Sequence, residues 1–223
     1  MIKYFEGTVF NTDAEAIVNT INCDGFMGAG LALEFSLRYP KMLDDYEYKC
    51  KNKIIKTGKI DTFKENDILI INFPTKNSFK FPSQIKWIEE GLKDFVENYK
   101  SYNVKSIAFP KLGCSNGGLS WNEVKPLMEK YLADLEITIY ICIDTIREAQ
   151  GKEKEMLDAF NNCDLYELSS IIKLSSKQID LLKSNIPYTR FWMIEKTPSI
   201  GKTTYKNLFK HFYNKYSKQL KLF

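Results

Sequence analysis

The chain has 223 residues, 44% hydrophobic and 27% charged, the balance of a globular protein with one medium domain or a domain plus an appendage. No apolar run reaches the roughly 18 residues a membrane span needs, and the start "MIKYFEGTVF" has no charged segment leading into a long apolar core, so neither a span nor a secretion signal is expected. The only histidine is His211, which excludes a Ser-His or Cys-His dyad and a His-rich zinc site upstream of it.

Five cysteines, Cys23, Cys50, Cys114, Cys142 and Cys163, are odd in number and scattered, form no metal-type pair and suit a reducing cytoplasm. The net charge of +4 is unevenly spread. From Lys196 onward there are seven lysines and no acid, which leaves 25 basic against 28 acidic residues before it, or −3. That asymmetry makes a polyanionic partner worth testing.

In chain order, short strands rich in β-branched and aromatic residues are predicted at 2–5, 15–20, 58–63, 67–73, 104–109 and 136–143. Helical periodicity falls between them, over Gly30–Tyr39, Pro40–Cys50, Ser83–Tyr102 and Ser120–Leu132, with Pro40 separating the first two. Near-continuous apolar runs such as "ILIINF" point to strands covered on both faces. The alternation predicts a three-layer α/β/α domain over residues 1–145. After Ile143 the pattern changes: "REAQGKEKEMLDAF" and "LSSKQIDLLKSN" read as short helices. From Tyr205 a helical face follows, with Leu208, Phe209, Phe212, Tyr213, Tyr216 and Leu220. Residues 146–223 are therefore expected to be a small, mostly helical, basic module that docks on the first.

Ligands of open α/β sheets bind where strand ends lead into helices. Two glycine-rich loops answer to that place: "NCDGFMGAGLA" after "AIVNT", and "FPKLGCSNGGLSW" after "VKSIA". Together they could hold a diphosphate between backbone N–H groups; tight turns and helix caps are the plainer explanation of either alone. Neither has the Rossmann spacing or the acid that holds a ribose. Lys76 in "INFPTKNSF" follows the central apolar strand on the same edge. A lysine is ordinarily solvated surface, yet one near phosphates binds charge and one partly desolvated can become a nucleophile. "GKTT" in the tail lacks the first glycine and the leading strand of a nucleotide-binding Walker loop.

The order "NTINCDGFMGAGLALEF", "INFPTK" and "PKLGCSNGGLSW" resembles the macrodomain family of ADP-ribose-binding modules over residues 1–143. Within it, the chain is most similar to the branch of DarG-like DNA ADP-ribosyl glycohydrolase antitoxins and terminal ADP-ribose protein glycohydrolases. The resemblance implies a mixed central sheet and an ADP-ribose site. Thr8 and Val9 would frame adenine, although many macrodomains carry an aspartate at the place of Thr8. Thr20, Ile21 and Asn22 would lead into the first loop, with Asn22 on the distal ribose. Gly28, Gly30, Leu31 and Ala32 would close on the diphosphate, and Thr75 would sit beside it. Gly113, Cys114, Ser115, Asn116, Gly117 and Gly118 would cover its other side.

Lys76 matches the lysine this branch uses for de-ADP-ribosylation at the anomeric carbon, with no cofactor and no metal. The protein-directed glycohydrolase pairs its lysine with an aspartate in the second loop, where this chain has Gly117, as the DNA-directed group also has glycine. The resemblance thus implies a hydrolase acting on an ADP-ribosylated nucleic-acid base, with a cognate ADP-ribosyltransferase toxin as a second partner. An ADP-ribosylated acidic side chain or acyl-ADP-ribose is the alternative substrate, and a non-catalytic ADP-ribose reader the alternative class. Tail aromatics interleaved with lysines could stack bases; equally, the tail could be an amphipathic helix covering the sheet domain.

Overall fold

The computed structural model describes residues 1–65 and 67–217. The chain divides into two compact units, Met1–Thr145 and the residues from Ile146 onward.

The first unit is built on a six-stranded sheet of β1 (Ile2–Phe5), β2 (Ala16–Asn22), β3 (Asp61–Glu65), β4 (Ile68–Lys76), β5 (Ser106–Pro110) and β6 (Thr138–Cys142). Its order is β1-β6-β5-β2-β4-β3. Every pairing is parallel except that of β3 with β4, so the sheet is mixed. Helices α1 (Gly30–Arg38), α2 (Pro40–Lys51), α3 (Ile85–Asn98) and α4 (Trp121–Leu132) supply the outer layers. Alternation along the strands sends side chains to two separate cores. Ala16 and Val18 of β2, with Ile71 and Phe73 of β4, meet Ile88, Leu92 and Phe95 of α3 and Val124, Met128 and Leu132 of α4. Ile17 and Ile21 of the same strand belong with Phe35 of α1 and Met42 and Tyr46 of α2. Burial on both faces is why the strands read as unbroken apolar runs.

Within this unit, three boundaries differ most from the periodicity. The third strand begins at Asp61 because Gly58 makes a turn at φ +76°. The helix expected over 83–102 ends at Asn98, and one 3₁₀ turn, Tyr99–Tyr102, carries the chain to Asn103 in the left-handed region. The fourth strand runs past Phe73 through Pro74 and Thr75 to Lys76. Proline is accommodated there because β3 pairs with β4 only as far as Asn72.

The second unit holds α5 (Gly151–Asn161), α6 (Leu165–Ile172), α7 (Ser176–Lys183), a 3₁₀ segment over Phe191–Lys196 and α8 (Lys202–Ser217). The sequence reading missed α6, whose start is a side-chain cap, Asp164 accepting from the Tyr166 N–H at 2.7 Å. A buried ion pair, Arg190 to Glu153 at 3.0 Å, is completed by the Phe191 N–H on the same carboxylate. The expectation that tail aromatics could stack bases is corrected at three positions. Tyr205, Phe209 and Phe212 are buried and pack on Phe160 and Phe191 of their own unit. Apolar residues one and two turns apart on α8 thus form the core of a helical unit rather than a stacking platform. Leu220, assigned to the same face, lies outside the described residues. "GKTT" opens α8 after a 3₁₀ segment, with no strand leading into it.

Helix α3 lies close on the sheet because Gly91 has no side chain: a Cβ there would stand 2.4 Å from Cζ of the fully buried Phe73. Gly91→Ala should destabilise the chain by about 1–3 kcal/mol despite alanine's better helix propensity, since the ring has no space to retreat into. Urea unfolding of the two proteins side by side measures this.

Candidate active site at the carboxyl edge of the sheet

Strands β2 and β5 are parallel neighbours, so the loops that follow them leave the same edge side by side. The β2 loop leads to α1 and α2 on one face, while the β5 loop leads to α4 on the other. Such a divergence opens a crevice at the strand ends, the usual ligand position in α/β sheets. Strand β4 borders β2 on its other side and ends there too, with Lys76 in register with Asn22. Thr8 and Val9 follow β1 and open a short 3₁₀ turn (Val9–Asn11).

The first loop is folded by Asn22, which is buried. Its carboxamide nitrogen donates to the Phe26 carbonyl at 2.6 Å, and its oxygen accepts from the Asp24 N–H at 2.9 Å. From beneath, the buried Tyr46 hydroxyl donates to the Asn22 carbonyl at 2.8 Å. Asn22 therefore shapes the loop as well as standing where the ribose contact was expected. Past Gly28, Ala29 takes the N-cap position of α1 with no side-chain cap, and Leu33 is the first residue whose N–H bonds back to Ala29. The N–H groups of Gly30, Leu31 and Ala32 thus form an uncapped helix start, with the dipole's positive end facing the crevice. Ile21 turns its side chain into the core, so only its backbone lies at the edge. Its carbonyl accepts from the Thr75 hydroxyl at 3.4 Å, and Thr20 pairs with Phe73.

The second loop is a compact run of turns closed by Leu119 N–H to the Gly113 carbonyl at 3.0 Å and Gly118 N–H to the Ser115 carbonyl at 3.2 Å. Gly113 (φ +68°) and Gly118 (φ +79°) adopt conformations that glycine takes at little cost. Gly117 is buried for a different reason. A Cβ there would lie 2.1 Å from the Gly113 carbonyl oxygen and 2.5 Å from the Ser83 hydroxyl. Ser83 in turn donates its N–H to the Gly117 carbonyl at 2.9 Å, and its buried hydroxyl has no partner among the described residues. Gly117 therefore has no room for any side chain while the loop keeps this shape.

Asn116 joins the three segments. The Lys76 ammonium donates to its backbone carbonyl at 2.5 Å, across 40 residues of sequence. Its side-chain amide rests on Gly30, where a Cβ would come within 2.7 Å of the nitrogen. One residue thus brings the amine, the start of α1 and the second glycine loop together. Thr8 is engaged locally: its hydroxyl and its N–H both donate to the Asn11 carboxamide oxygen, at 2.8 and 3.1 Å. The Thr8 hydroxyl is thus already bound to its own turn.

Cysteine chemistry is disfavoured at this edge. Burial pushes the Cys23 thiol up to about 11 and raises Cys114 as well, so both remain thiols at neutral pH. Among the described residues no cluster of His, Cys, Asp and Glu forms a metal ligand set.

Sequence reasoning missed Asp24, Ser78, Phe79 and Ser83. They carry no motif of their own, and the contacts that matter cross 34 to 55 residues. Tight packing at Gly117 gives a direct test: Gly117→Ala should lower affinity for ADP-ribose, the ligand the resemblance implies, by about tenfold or more, equivalent to ~1.4 kcal/mol. Calorimetric titration beside a thermal melt separates this from unfolding.

The Macro domain family model matches residues 18–128. The DNA ADP-ribosyl glycohydrolase of Mycobacterium tuberculosis is 38% identical over 164 residues, covering 69% of this chain and 46% of that protein. The chain thus spans about half the length of the curated relatives it matches. Among solved structures, the macrodomain of Mycobacterium tuberculosis DarG superposes with a TM-score of 0.61 at 38% identity, covering 64% of this chain and 98% of that one. Thermosipho africanus DarTG in complex with ADP-ribose gives 0.61 at 36% identity, over 65% of this chain and 42% of that one. With the two-loop crevice and this match to nearly the whole of a solved macrodomain, the chain belongs to the macrodomain family.

Proposed function

We propose that this chain is an ADP-ribosyl hydrolase that removes ADP-ribose from a modified nucleic-acid base. The observation that carries the reading is Lys76, held by Asn116 between the two glycine loops, at the end where the distal ribose of a diphosphate-anchored ADP-ribose would arrive. Similarity to DNA ADP-ribosyl glycohydrolases supports the substrate class. The closely packed Gly117, which leaves no place for a second-loop carboxylate, supports a site that works with the amine alone.

The reaction breaks the bond between the anomeric carbon and the base nitrogen, and the bonding pair leaves with the base. Positive charge develops on the sugar ring, and the departing nitrogen takes up a proton. Lys76 can serve in two ways. As a neutral amine it forms a carbon–nitrogen bond at the anomeric carbon, later broken by water. As an ammonium it delivers its proton to the base while water adds to the sugar. In both, the loops fix the diphosphate so that binding far from the reacting carbon positions it. No cofactor or metal is assigned; ADP-ribose is the product. The partners are ADP-ribosylated nucleic acid and, by likeness to the antitoxin branch, a cognate ADP-ribosyltransferase, both in the cytoplasm. No helix among the described residues is long and apolar enough to cross a membrane.

Lys76→Ala should lower turnover of ADP-ribosylated DNA by roughly 10²–10⁴-fold, far more than it weakens binding of free ADP-ribose, which loses only the contribution of the bond to Asn116. Lys76→Arg separates the two roles, since a guanidinium stays charged and cannot attack: activity partly kept means proton delivery, activity lost as fully as in the alanine variant means a covalent adduct. The same assay with a glutamate-linked peptide and acyl-ADP-ribose tests the alternative substrates, and EDTA tests the absence of a metal. Tight ADP-ribose binding with no turnover on any of them would make the chain a reader.

A further inference from the structure

Three large aromatics on the segment after β4 and on the first loop are left in solvent: Phe26 at 48%, Phe79 at 46% and Phe81 at 65% exposure. Two of them are held together on purpose-built bonds. Asp24 of the first loop accepts from the Ser78 hydroxyl at 2.6 Å and from the Phe79 N–H at 3.0 Å, clasping the two segments across 55 residues. The clasp sets the rings of Phe26 and Phe79 5.0 Å apart, tilted by 47°. The Phe26 ring also lies over Gly28, where a Cβ would meet it at 2.3 Å. These aromatics therefore stand on the rim of the crevice, three residues past Lys76 on one side and on the diphosphate loop on the other.

Their electrostatic setting is cationic. From Lys76 to Trp87 the chain has Lys76, Lys80 and Lys86 and no acidic residue. The Lys80 ammonium stands 5.9 Å from the centre of the Phe79 ring. The nearby carboxylate of Asp24 is taken up by the clasp. Exposed rings bordered by lysines are what single-stranded nucleic acid uses: bases stack on the faces and phosphates track the cations. Phe79 and Phe81 are exposed within five residues of Lys76, whereas Tyr205, Phe209 and Phe212 of α8 are buried.

We propose that the Phe26–Phe79 rim, with Lys80, stacks a nucleobase of single-stranded DNA next to the ADP-ribosylated one. This rests on the reading of the site as acting on modified nucleic acid, and it adds that the strand beyond the modified base is gripped by the protein itself. Burying an exposed ring pair against a base gains hydrophobic and stacking energy without requiring a particular base. The grip would therefore be tolerant of neighbouring sequence and favour unpaired over duplex DNA.

Fluorescence anisotropy of the full chain with a fluorescein-labelled, unmodified oligodeoxythymidylate tests it, beside calorimetric titration with free ADP-ribose. Phe79→Ala should weaken oligonucleotide binding by roughly 5- to 100-fold with ADP-ribose affinity retained, and Phe79→Trp should restore it. Unchanged oligonucleotide binding in Phe79→Ala, no binding by the unaltered chain, or an equal loss of ADP-ribose affinity would each overturn the proposal. Because the probe carries no ADP-ribose, DNA binding through Phe79 without hydrolysis refutes only the hydrolase, and hydrolysis with binding indifferent to Phe79 refutes only the stacking rim.

Discussion

The hydrogen bond from the Lys76 amine to the Asn116 carbonyl is the joint on which the site depends. It ties the end of a strand buried on both faces to the tip of a glycine loop that has little side-chain anchorage of its own. The Asn116 amide, resting on Gly30, extends the joint to the uncapped start of α1. A charged donor aimed at a backbone carbonyl is among the stronger hydrogen bonds available, and here it also presents an amine at the mouth of the crevice. Structure and proposed chemistry thus share one group: the residue that joins the loops is the one proposed to meet the sugar.

The surrounding packing explains why the loops are poor in side chains. Gly28, Gly30 and Gly117 are each occupied from outside, by the Phe26 ring, the Asn116 amide and the Gly113 carbonyl respectively. Glycine here is a condition of close approach more than of unusual dihedrals, since only Gly30 of the three has a positive φ. What a macrodomain gains from such loops is a wall of N–H groups near enough to surround a diphosphate. The same closeness constrains the chemistry. A second-loop carboxylate cannot be added at Gly117 without moving Ser83 or Gly113, so the amine stands without an acid partner from that loop.

Much of this was legible in the sequence, for identifiable reasons. Strands covered on both faces write themselves as apolar runs, and the two glycine loops stand out because little else demands three glycines before a helix. Lys76 was singled out by its position and by the resemblance, and it is the last residue of β4 rather than a residue beyond it. The roles of Asp24, Ser78, Phe79 and Ser83 were not legible, because clasps between distant segments leave no local period. The tail left two readings open. Its spaced aromatics among lysines fit a stacking surface and a buried helix face equally well, and only the rings of Phe160 and Phe191 packed against them decide for the latter.

A crystal structure of the full chain with ADP-ribose bound tests the central claim most directly. The two-loop crevice predicts the diphosphate in hydrogen bonds to the N–H groups of Leu31 and Ala32 and of the 113–118 loop. The anomeric carbon of the distal ribose should lie about 3.5 Å from the Lys76 amine, the separation of groups ready to react. A diphosphate bound away from both loops, or a distal ribose whose anomeric carbon faces away from Lys76, would contradict it.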